Sequence, residues 1–315
     1  MDFQQFANKL VQNKSFAIIC HARPDGDAIG SSIGLQKGLQ SLGKVADVFC
    51  VDDIPVKFSS IVKINGFRKT IDSDYDAFVA VDCADEGRLG DLYTEYAKCK
   101  NTFNLDHHVS NSKYAKFNLV EDNSSNCENV YNLLTSLKVD ITKDIADALL
   151  MGISTDTGNF AHKGLKKSTF IVAGELVEKG ADINKIYYQM FCAQTRERAK
   201  LFALVNSGIR YNLDKKLGIA VITRDMIAKA GASSSDTEGI IDFVLAVDTV
   251  EVAVSILEVG DNRFKISLRG KSTDVNAIAR VYGGGGHILA SGCMINGYLE
   301  NVIDELTYTV SQYMD

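Results

Sequence analysis

Short apolar runs alternate with helix-like stretches through the first two thirds of the chain. The runs predict strands at Phe16–Cys20, Val45–Val51, Ala77–Val81 and Thr102–Leu105. Longer stretches, most with apolar residues three or four positions apart, predict helices at Phe3–Leu10, Ile29–Leu42, Ile141–Thr155, Phe170–Val177 and Ile183–Phe202. Because strands alternate with helices, we expect an α/β fold with a doubly wound, mainly parallel sheet.

The pattern changes near Leu217. After it, strands are predicted at Gly218–Ile222, Val250–Leu257 and Arg263–Leu268, with few helices between them. We therefore expect a second, smaller α/β domain, with a cleft between the two. The predicted boundaries are 1–190 for the first domain, 191–212 for a helical connector and 213–315 for the second domain.

The composition is that of an ordinary globular protein. Of 315 residues, 46% are hydrophobic and 23% are charged, and the formal net charge is −6. A chain this acidic is a poor candidate for binding duplex nucleic acid over a broad basic face. It contains no apolar stretch of membrane-spanning length, its first residues lack a basic signal region, and its seven cysteines show no paired spacing. We therefore expect a cytoplasmic protein that does not contact membranes.

Histidines and aspartates follow the predicted strands at the points where they end. His21, Asp25 and Asp27 come after the first strand, Asp82 after the third, and Asp106, His107 and His108 after the fourth. The carboxyl ends of parallel strands meet at one edge of a sheet, so we expect these side chains in one crevice. Asp156, at the end of an apolar helix, can join them. Taken singly, each motif is more often a turn or a helix cap, and it is their joint arrangement that indicates a site.

Five carboxylates in one crevice repel one another unless cations neutralise them. The set is large enough for two divalent ions, and mixed imidazole and carboxylate ligands favour Mn²⁺, with Mg²⁺ or Co²⁺ as substitutes. We expect Gly26 to act as a flexible link that lets Asp25 and Asp27 face different ions, while Asp82 can bridge. Two metals about 3.5–4 Å apart are a known arrangement for phosphoester hydrolysis.

Five motifs in order resemble the signature of the DHH phosphoesterase superfamily. They are His21-x-x-x-Asp25-x-Asp27, Val81–Asp85, Asp106–His108, Ser154–Gly158, and the glycine run Gly283–Gly286 with His287 and the following Ala290–Gly292. The last resembles the hallmark of the DHH-associated C-terminal domain, and the short two-domain form is similar to the nano-RNase type. The resemblance implies a hydrolase that degrades short single-stranded RNA and dinucleotides to mononucleotides and also dephosphorylates 3′-phosphoadenosine-5′-phosphate (pAp).

The resemblance also implies a role for each residue of the crevice. One Mn²⁺ would be held by His21, Asp25 and Asp82, and the other by Asp27, Asp82, His107 and Asp156. Asp106 would orient the histidines, and His108 would face the scissile phosphate. Asp82, Asp106 and His108 are thus the expected catalytic residues.

The second domain offers candidate substrate contacts. In the strand that starts at Arg263, the polar residues Arg263, Lys265, Ser267 and Arg269 alternate with apolar ones and share one face. This face can bind a phosphate or a terminal nucleotide, or it is a solvated outer face. Gly284, Gly285 and Gly286 can aim backbone N–H groups at an anion beside His287, or they form a plain loop.

Three alternative functions stay open. The first is a phosphodiesterase specific for cyclic or linear dinucleotides, the second is a pyrophosphatase with the same metal site, and the third is a nucleotide-binding protein without activity. The glycine run disfavours the second, and the complete set of ligand positions disfavours the third. A homodimer is one option for the oligomeric state.

Overall fold

The structure is a computed structural model that describes residues 1–314. The chain forms two compact units that divide between Ala193 and Gln194, inside the predicted connector. Each unit has its own six-stranded sheet and its own core. Every helix among the described residues is too short or too polar to cross a membrane.

The sheet of the first unit is parallel throughout. Its strands are β1 (Ser15–Cys20), β2 (Val45–Phe49), β3 (Phe67–Arg68), β4 (Ala77–Val81), β5 (Thr102–Asp106) and β6 (Phe117–Val120), and they lie in the order β3-β2-β1-β4-β5-β6. β4 and β5 are buried along their whole length, as expected for strands with both faces covered. The strand order reverses direction between β1 and β4, which is where doubly wound sheets form their binding crevice.

Helices cover both faces of this sheet. They are α1 (Phe3–Leu10), α2 (Gly26–Ser41), α3 (Tyr93–Lys98), α4 (Asn126–Ser136), α5 (Lys143–Asp156), α6 (Lys167–Glu178) and α7 (Ile183–Tyr187). Successive residues of β1 face opposite sides, so Ile18 belongs to the larger apolar cluster and Ile19 to the smaller one. The fold class predicted from the alternation of strands and helices is confirmed for this unit.

α2 and α5 pack closely because glycines lie in their contact. A Cβ atom on Gly26 would lie 2.2 Å from Oγ1 of Thr155, and one on Gly30 would lie 2.4 Å from the backbone oxygen of Ala148. A larger residue would push the two helices apart. Gly26 is the first residue of α2. The prediction of a flexible link at Gly26 is therefore wrong, because helical geometry and this contact fix its position.

The second unit has a mixed sheet. Its strands are β7 (Arg210–Asn212), β8 (Leu217–Ile222), β9 (Val252–Gly260), β10 (Arg263–Gly270), β11 (Gly285–His287) and β12 (Ala290–Asn296), in the order β11-β12-β10-β9-β8-β7. β8 and β9 are parallel, and the other pairs are antiparallel. α8 (Arg196–Asn206), α9 (Arg224–Ala230) and α10 (Ile240–Leu245) pack on one face, and α11 (Val275–Val281) and α12 (Leu299–Ser311) on the other.

Two predictions about local structure are wrong. The helix predicted at Ile183–Phe202 is two helices, α7 and α8, because a π-helical turn at Tyr188–Cys192 and an extended segment interrupt it. The second unit is also richer in helices than expected, since α9 and α10 lie between β8 and β9. α10 was not predicted because its apolar face is short and polar stretches precede it.

Candidate metal centre

The carboxyl ends of three neighbouring strands carry most of the candidate site. The register places Cys20 of β1 beside Val81 of β4, and Val81 beside Leu105 of β5. The residues that follow, His21, Asp82 and Asp106, therefore lie next to one another across the sheet edge. This is the convergence that the sequence pattern predicted.

Two helix N-termini hold the carboxylates of the segment after β1. Asp25 is the N-cap of α2, and its Oδ1 accepts hydrogen bonds of 3.0 Å from the backbone N–H groups of Asp27 and Ala28. The carboxylate of Asp27 accepts backbone N–H groups at the start of α4, from Asn126 at 2.6 Å and from Cys127 at 2.9 Å. These contacts fix both carboxylates before any ion binds.

Backbone carbonyl groups orient two of the histidines. Nδ1 of His21 lies 2.9 Å from the oxygen of Ala22, and Nδ1 of His107 lies 3.0 Å from the oxygen of Asn123. A carbonyl oxygen can only accept a hydrogen bond, so in both histidines Nδ1 carries the proton and donates the hydrogen bond. Nε2 of each neutral ring then keeps a free lone pair, which is the usual arrangement of histidines that bind metals.

All six residues predicted as metal ligands lie together. Three groups have ligand atoms within 4.8 Å of one another: His21, Asp25 and Asp82; Asp27, His107 and Asp156; and Asp82, His107 and His108. Asp82 joins the groups, because its Oδ2 lies 3.5 Å from Nε2 of His21 and its Oδ1 lies 3.4 Å from Nε2 of His107. The same Nε2 atom of His107 also lies 3.8 Å from Oδ2 of Asp156.

Asp82 carries a buried charge that lacks a full set of partners. The residue is 2% exposed, and Oδ1 has no hydrogen-bond partner among the described residues. Burial opposes ionisation of Asp82, but His107 and His21 outweigh it and lower its pKa to about 2. Burial likewise opposes protonation of these two histidines, but the nearby carboxylates raise the pKa of each to about 10. In the absence of ions, protons on the histidines therefore compensate the charge of Asp82.

Two of the other three carboxylates, those of Asp156 and Asp27, resist ionisation. Burial raises the pKa of Asp156 to about 6, with Asp82 and Asp25 adding to the effect. Burial, together with Asp82 and Asp156, also raises the pKa of Asp27. Bound cations favour the charged form of each carboxylate and displace the histidine protons. Four carboxylates and two imidazoles, with an unpartnered oxygen between them, are a donor set that fits two divalent metal ions.

Asp106 orients His108 rather than both histidines. Nδ1 of His108 lies 2.8 Å from Oδ1 of Asp106, which is completely buried. The other carboxylate oxygen of Asp106 accepts a 2.6 Å hydrogen bond from the side chain of Asn111. His107 takes its orientation from Asn123 instead. Asn111 and Asn123 are positioning residues that the sequence analysis missed, and the position of Asn111 three residues after His108 was the available signal.

Part of the predicted polar face of β10 lines a cavity in the second unit. The alternation is as predicted, because Phe264, Ile266 and Leu268 are buried in the core. Ser267 and Arg269 are half-buried and line a cavity of about 380 Å³ together with Lys265. Its opposite wall comes from the segment 234–242. Arg263 is exposed and lies outside the lining of this cavity.

The glycine run forms the short strand β11 rather than a plain loop. A Cβ atom on Gly284 would lie 2.2 Å from the backbone oxygen of Gly292, so β12 approaches too closely for any side chain there. Gly284 also lines a second cavity, of about 540 Å³, on the other side of Lys265 and Ser267. Gly285, Gly286 and the exposed His287 follow it on β11. Packing explains part of this motif without a ligand.

Domain comparisons agree with the fold and the site. Residues 15–153 match the DHH family, N-terminal domain, and residues 214–315 match the DHHA1 domain. The chain belongs to the DHH family of phosphoesterases, in a form that also carries a DHHA1 domain. A protein of Thermus thermophilus named bifunctional oligoribonuclease and PAP phosphatase NrnA is 29% identical, over 92% of this chain and 90% of its own.

Solved structures support the same fold. An exopolyphosphatase-related protein from Bacteroides fragilis superimposes with a TM-score of 0.86 at 24% identity, covering 99% of this chain and 96% of its own. RecJ from Thermus thermophilus, solved in complex with Mn²⁺, superimposes with a TM-score of 0.55 at 15% identity, covering 99% of this chain and 55% of its own. At these identities the likeness concerns the fold alone.

Proposed function

We propose that this protein is a metal-dependent phosphodiesterase that degrades short single-stranded oligoribonucleotides to mononucleotides and also dephosphorylates pAp. The observation that carries the proposal is the buried carboxylate of Asp82, whose Oδ2 lies near His21 and whose Oδ1, without a hydrogen-bond partner among the described residues, lies near His107. A buried carboxylate in this position needs positive charge on both sides. The names and the near-complete coverage of its relatives support the choice of substrate.

Two divalent ions, with Mn²⁺ as the favoured metal, complete the proposed site. His21, Asp25 and Asp82 would hold one, and Asp27, Asp82, His107 and Asp156 the other. Metal ions in such a pair make a bound water a stronger nucleophile near neutral pH and neutralise the charge of a phosphate. The Mn²⁺ in the structure of RecJ supports this metal, because RecJ shares the fold.

His108 and Asp106 are the proposed catalytic pair beside the metals. The Asp106 carboxylate accepts a hydrogen bond from Nδ1–H of His108, which fixes the ring and stabilises its protonated form. His108 is half-exposed, whereas Asp106 is buried, so Nε2 of His108 is the atom that a phosphate can reach. A protonated ring there donates a hydrogen bond to a phosphate oxygen and balances its charge.

The second unit is proposed to bind the substrate away from the metals. Ser267 and Arg269 are the best candidates, because both line the cavity beside β10. A guanidinium group and a hydroxyl group suit a phosphate or the sugar of a terminal nucleotide. Arg263, Gly284, Gly285, Gly286 and His287 remain proposed contacts, with less support because Arg263 lies outside the cavity and packing accounts for Gly284.

The proposed compartment is the cytoplasm, where short RNA arises. All seven cysteines are free thiols, which supports a reducing environment.

The decisive experiment is a time course of the purified protein with Mn²⁺ and a panel of phosphate compounds. The panel contains pAp, RNA of two to about ten nucleotides, linear and cyclic dinucleotides, a duplex and pyrophosphate. The proposal predicts turnover of pAp and of the shortest RNA, suppressed by EDTA. Fast hydrolysis of pyrophosphate, with no hydrolysis of pAp, would refute the proposal in favour of a pyrophosphatase. Fast hydrolysis of cyclic dinucleotides, with no hydrolysis of pAp, would refute it in favour of a dinucleotide-specific phosphodiesterase.

A further inference from the structure

The turn after α5 holds three consecutive residues in the left-handed region. The φ angles of Gly158, Asn159 and Phe160 are +56°, +54° and +63°. Glycine adopts a positive φ freely and asparagine tolerates it, but an aromatic residue such as Phe160 rarely adopts this conformation. The backbone N–H of Asn159 donates to the oxygen of Ser154 at 2.7 Å, and that of Phe160 donates to Oγ1 of Thr157 at 3.1 Å. The hydrogen bonds of the turn thus hold Phe160 in a conformation that is unfavourable for an aromatic residue.

Phe160 supports a second aromatic ring that faces solvent. Its ring lies 5.7 Å from that of Phe170 on α6, and the two planes are inclined by 30°. Phe160 packs partly against the core, whereas Phe170 is 54% exposed. One face of Phe170 is therefore covered by Phe160, and much of the rest of the ring is open. The two packed rings form a continuous apolar surface.

The segments that carry the two rings are connected to the candidate metal centre. Phe160 follows Asp156 by four residues in the hydrogen-bonded turn that ends α5, so the two Cα atoms are at most about 14 Å apart. Phe170 follows Thr169, whose hydroxyl group contacts the hydroxyl of Ser124 at 2.8 Å. Ser124 in turn follows Asn123, the residue that orients His107. Phe160 is thus four residues from a candidate ligand, and the neighbour of Phe170 contacts the neighbour of the residue that orients His107.

We propose that Phe170, supported by Phe160, is a stacking surface for a nucleobase of the substrate. This inference rests on the proposed function, because it requires a phosphate held at the neighbouring centre. Any base presents an apolar face, so stacking binds single-stranded substrates without strong sequence preference. It also distinguishes nucleotides from pyrophosphate and other phosphates that lack a base.

The first test compares substrates with and without a base. Phe170→Ala should raise KM for pAp about tenfold and leave kcat within about twofold, a loss of about 1.4 kcal/mol of binding. Ribose 3′,5′-bisphosphate, which is pAp without adenine, should show no change. Val177→Ala is the matched control, because Val177 lies on the same helix two turns away and is 41% exposed. An equal loss on both substrates, or no loss on pAp, would overturn the stacking role.

The second test reads binding without hydrolysis. The chain has no tryptophan, so Phe170→Trp places a single indole at the proposed surface. We expect pAp to quench its fluorescence and ribose 3′,5′-bisphosphate to leave it unchanged, with KM near that of the wild type. Quenching by pAp in a protein that hydrolyses nothing would refute the proposed function but retain the stacking surface. Normal hydrolysis of pAp without quenching would refute the stacking surface alone.

Discussion

The side chain of Asn111 donates a 2.6 Å hydrogen bond to the carboxylate of Asp106. The same amide group lies 2.8 Å from Oδ1 of Asn104 and 3.2 Å from the backbone oxygen of Cys83. Asp106 is completely buried, and its second carboxylate oxygen contacts His108. Asn111 therefore holds the Asp106 carboxylate in place, and that carboxylate orients His108, the proposed catalytic histidine. Asn111 itself lies in the loop after β5 and not in the sheet.

We predict that Asn111→Ala lowers kcat by about 10–100-fold, the usual cost of removing an outer partner of a metal site. The reason is that one oxygen of Asp106 loses its donor, so His108 is no longer held in one orientation. KM for pAp should stay within about twofold, because Asn111 does not reach the substrate. Steady-state kinetics with pAp and Mn²⁺ measure both quantities.

Ser112→Ala is the control for this prediction. Ser112 is exposed in the same loop, and its hydroxyl contacts only Glu86, at 3.3 Å. Its replacement should leave kcat unchanged. If Asn111→Ala instead raised KM or reduced the amount of bound Mn²⁺ at an unchanged kcat, a positioning role through His108 would be excluded.

Asp82→Asn should abolish metal-dependent stabilisation as well as hydrolysis. Asparagine keeps the shape of the side chain and tolerates the left-handed backbone of this residue, whose φ is +59°. The substitution therefore removes the bridging charge with little strain. We expect hydrolysis to fall by about a hundredfold or more, since even the loss of an outer partner costs up to that much.

Thermal unfolding measures the metal effect directly. Ions at about 100 times Kd stabilise the wild type by about 2.7 kcal/mol, which raises Tm by about 5–10 °C for a unit of this size. EDTA should reverse the rise, and the Asp82→Asn protein should show little of it. A variant that keeps both the Tm rise and turnover in Mn²⁺ would rule out Asp82 as a bridge.

The sequence predicted that the residues of the candidate metal centre lie together, because a parallel sheet leaves little freedom at its edge. Once β1, β4 and β5 are recognised as neighbouring parallel strands, His21, Asp82 and Asp106 must meet. Asp156 was predictable from a different pattern, because it lies at the end of α5, a long apolar helix. The glycine contacts between α2 and α5 then bring its end to the site.

The partners of those residues were not predictable, because they depend on loop conformations. Nothing in the pattern indicates that the backbone of Asn123 orients His107, or that Asn111 turns back towards Asp106. The predicted helix at Ile183–Phe202 failed for a local reason: apolar spacing continues through the break. The side chain of Thr195 accepts the backbone N–H of Arg198 and so caps a new helix, a signal that apolar spacing does not contain.

Arg269→Ala should weaken substrate binding without affecting metal binding. The guanidinium group lines the cavity beside β10, and its ion pair with Asp242 is long, at 3.9 Å. Its charge is thus available to a phosphate, and losing a charge-assisted hydrogen bond of about 1.5–3 kcal/mol raises KM by about 10–100-fold. Kinetics with a dinucleotide and isothermal titration with Mn²⁺ measure the two properties.

Arg224→Ala is the matched control in the second unit. Arg224 is exposed and forms ion pairs with Glu258 and Asp261, so its charge is already compensated. Its loss should leave KM unchanged. If the two arginine variants behaved alike, the cavity beside β10 would have no special role in binding.

Gly284, just before β11, and Gly285, its first residue, allow packing and ligand binding to be tested separately. A Cβ atom on Gly284 would lie 2.2 Å from the backbone oxygen of Gly292, so Gly284→Ala must displace one of the strands. We expect a loss of stability of about 1–3 kcal/mol, visible as a lower midpoint in urea. A Cβ atom on Gly285 would find only Oδ1 of Asn276, at 3.7 Å, so Gly285→Ala should leave the midpoint unchanged.

Gly285→Ala therefore tests the anion role of this strand on its own. If a phosphate approaches the backbone of β11, the added methyl group keeps it away, and KM for pAp should rise about tenfold at unchanged stability and unchanged Mn²⁺ binding. If KM stays at the wild-type value, the glycines serve only the close approach of β11 to β12. Arg269 and Ser267 would then be the remaining candidates for binding the substrate in the second unit.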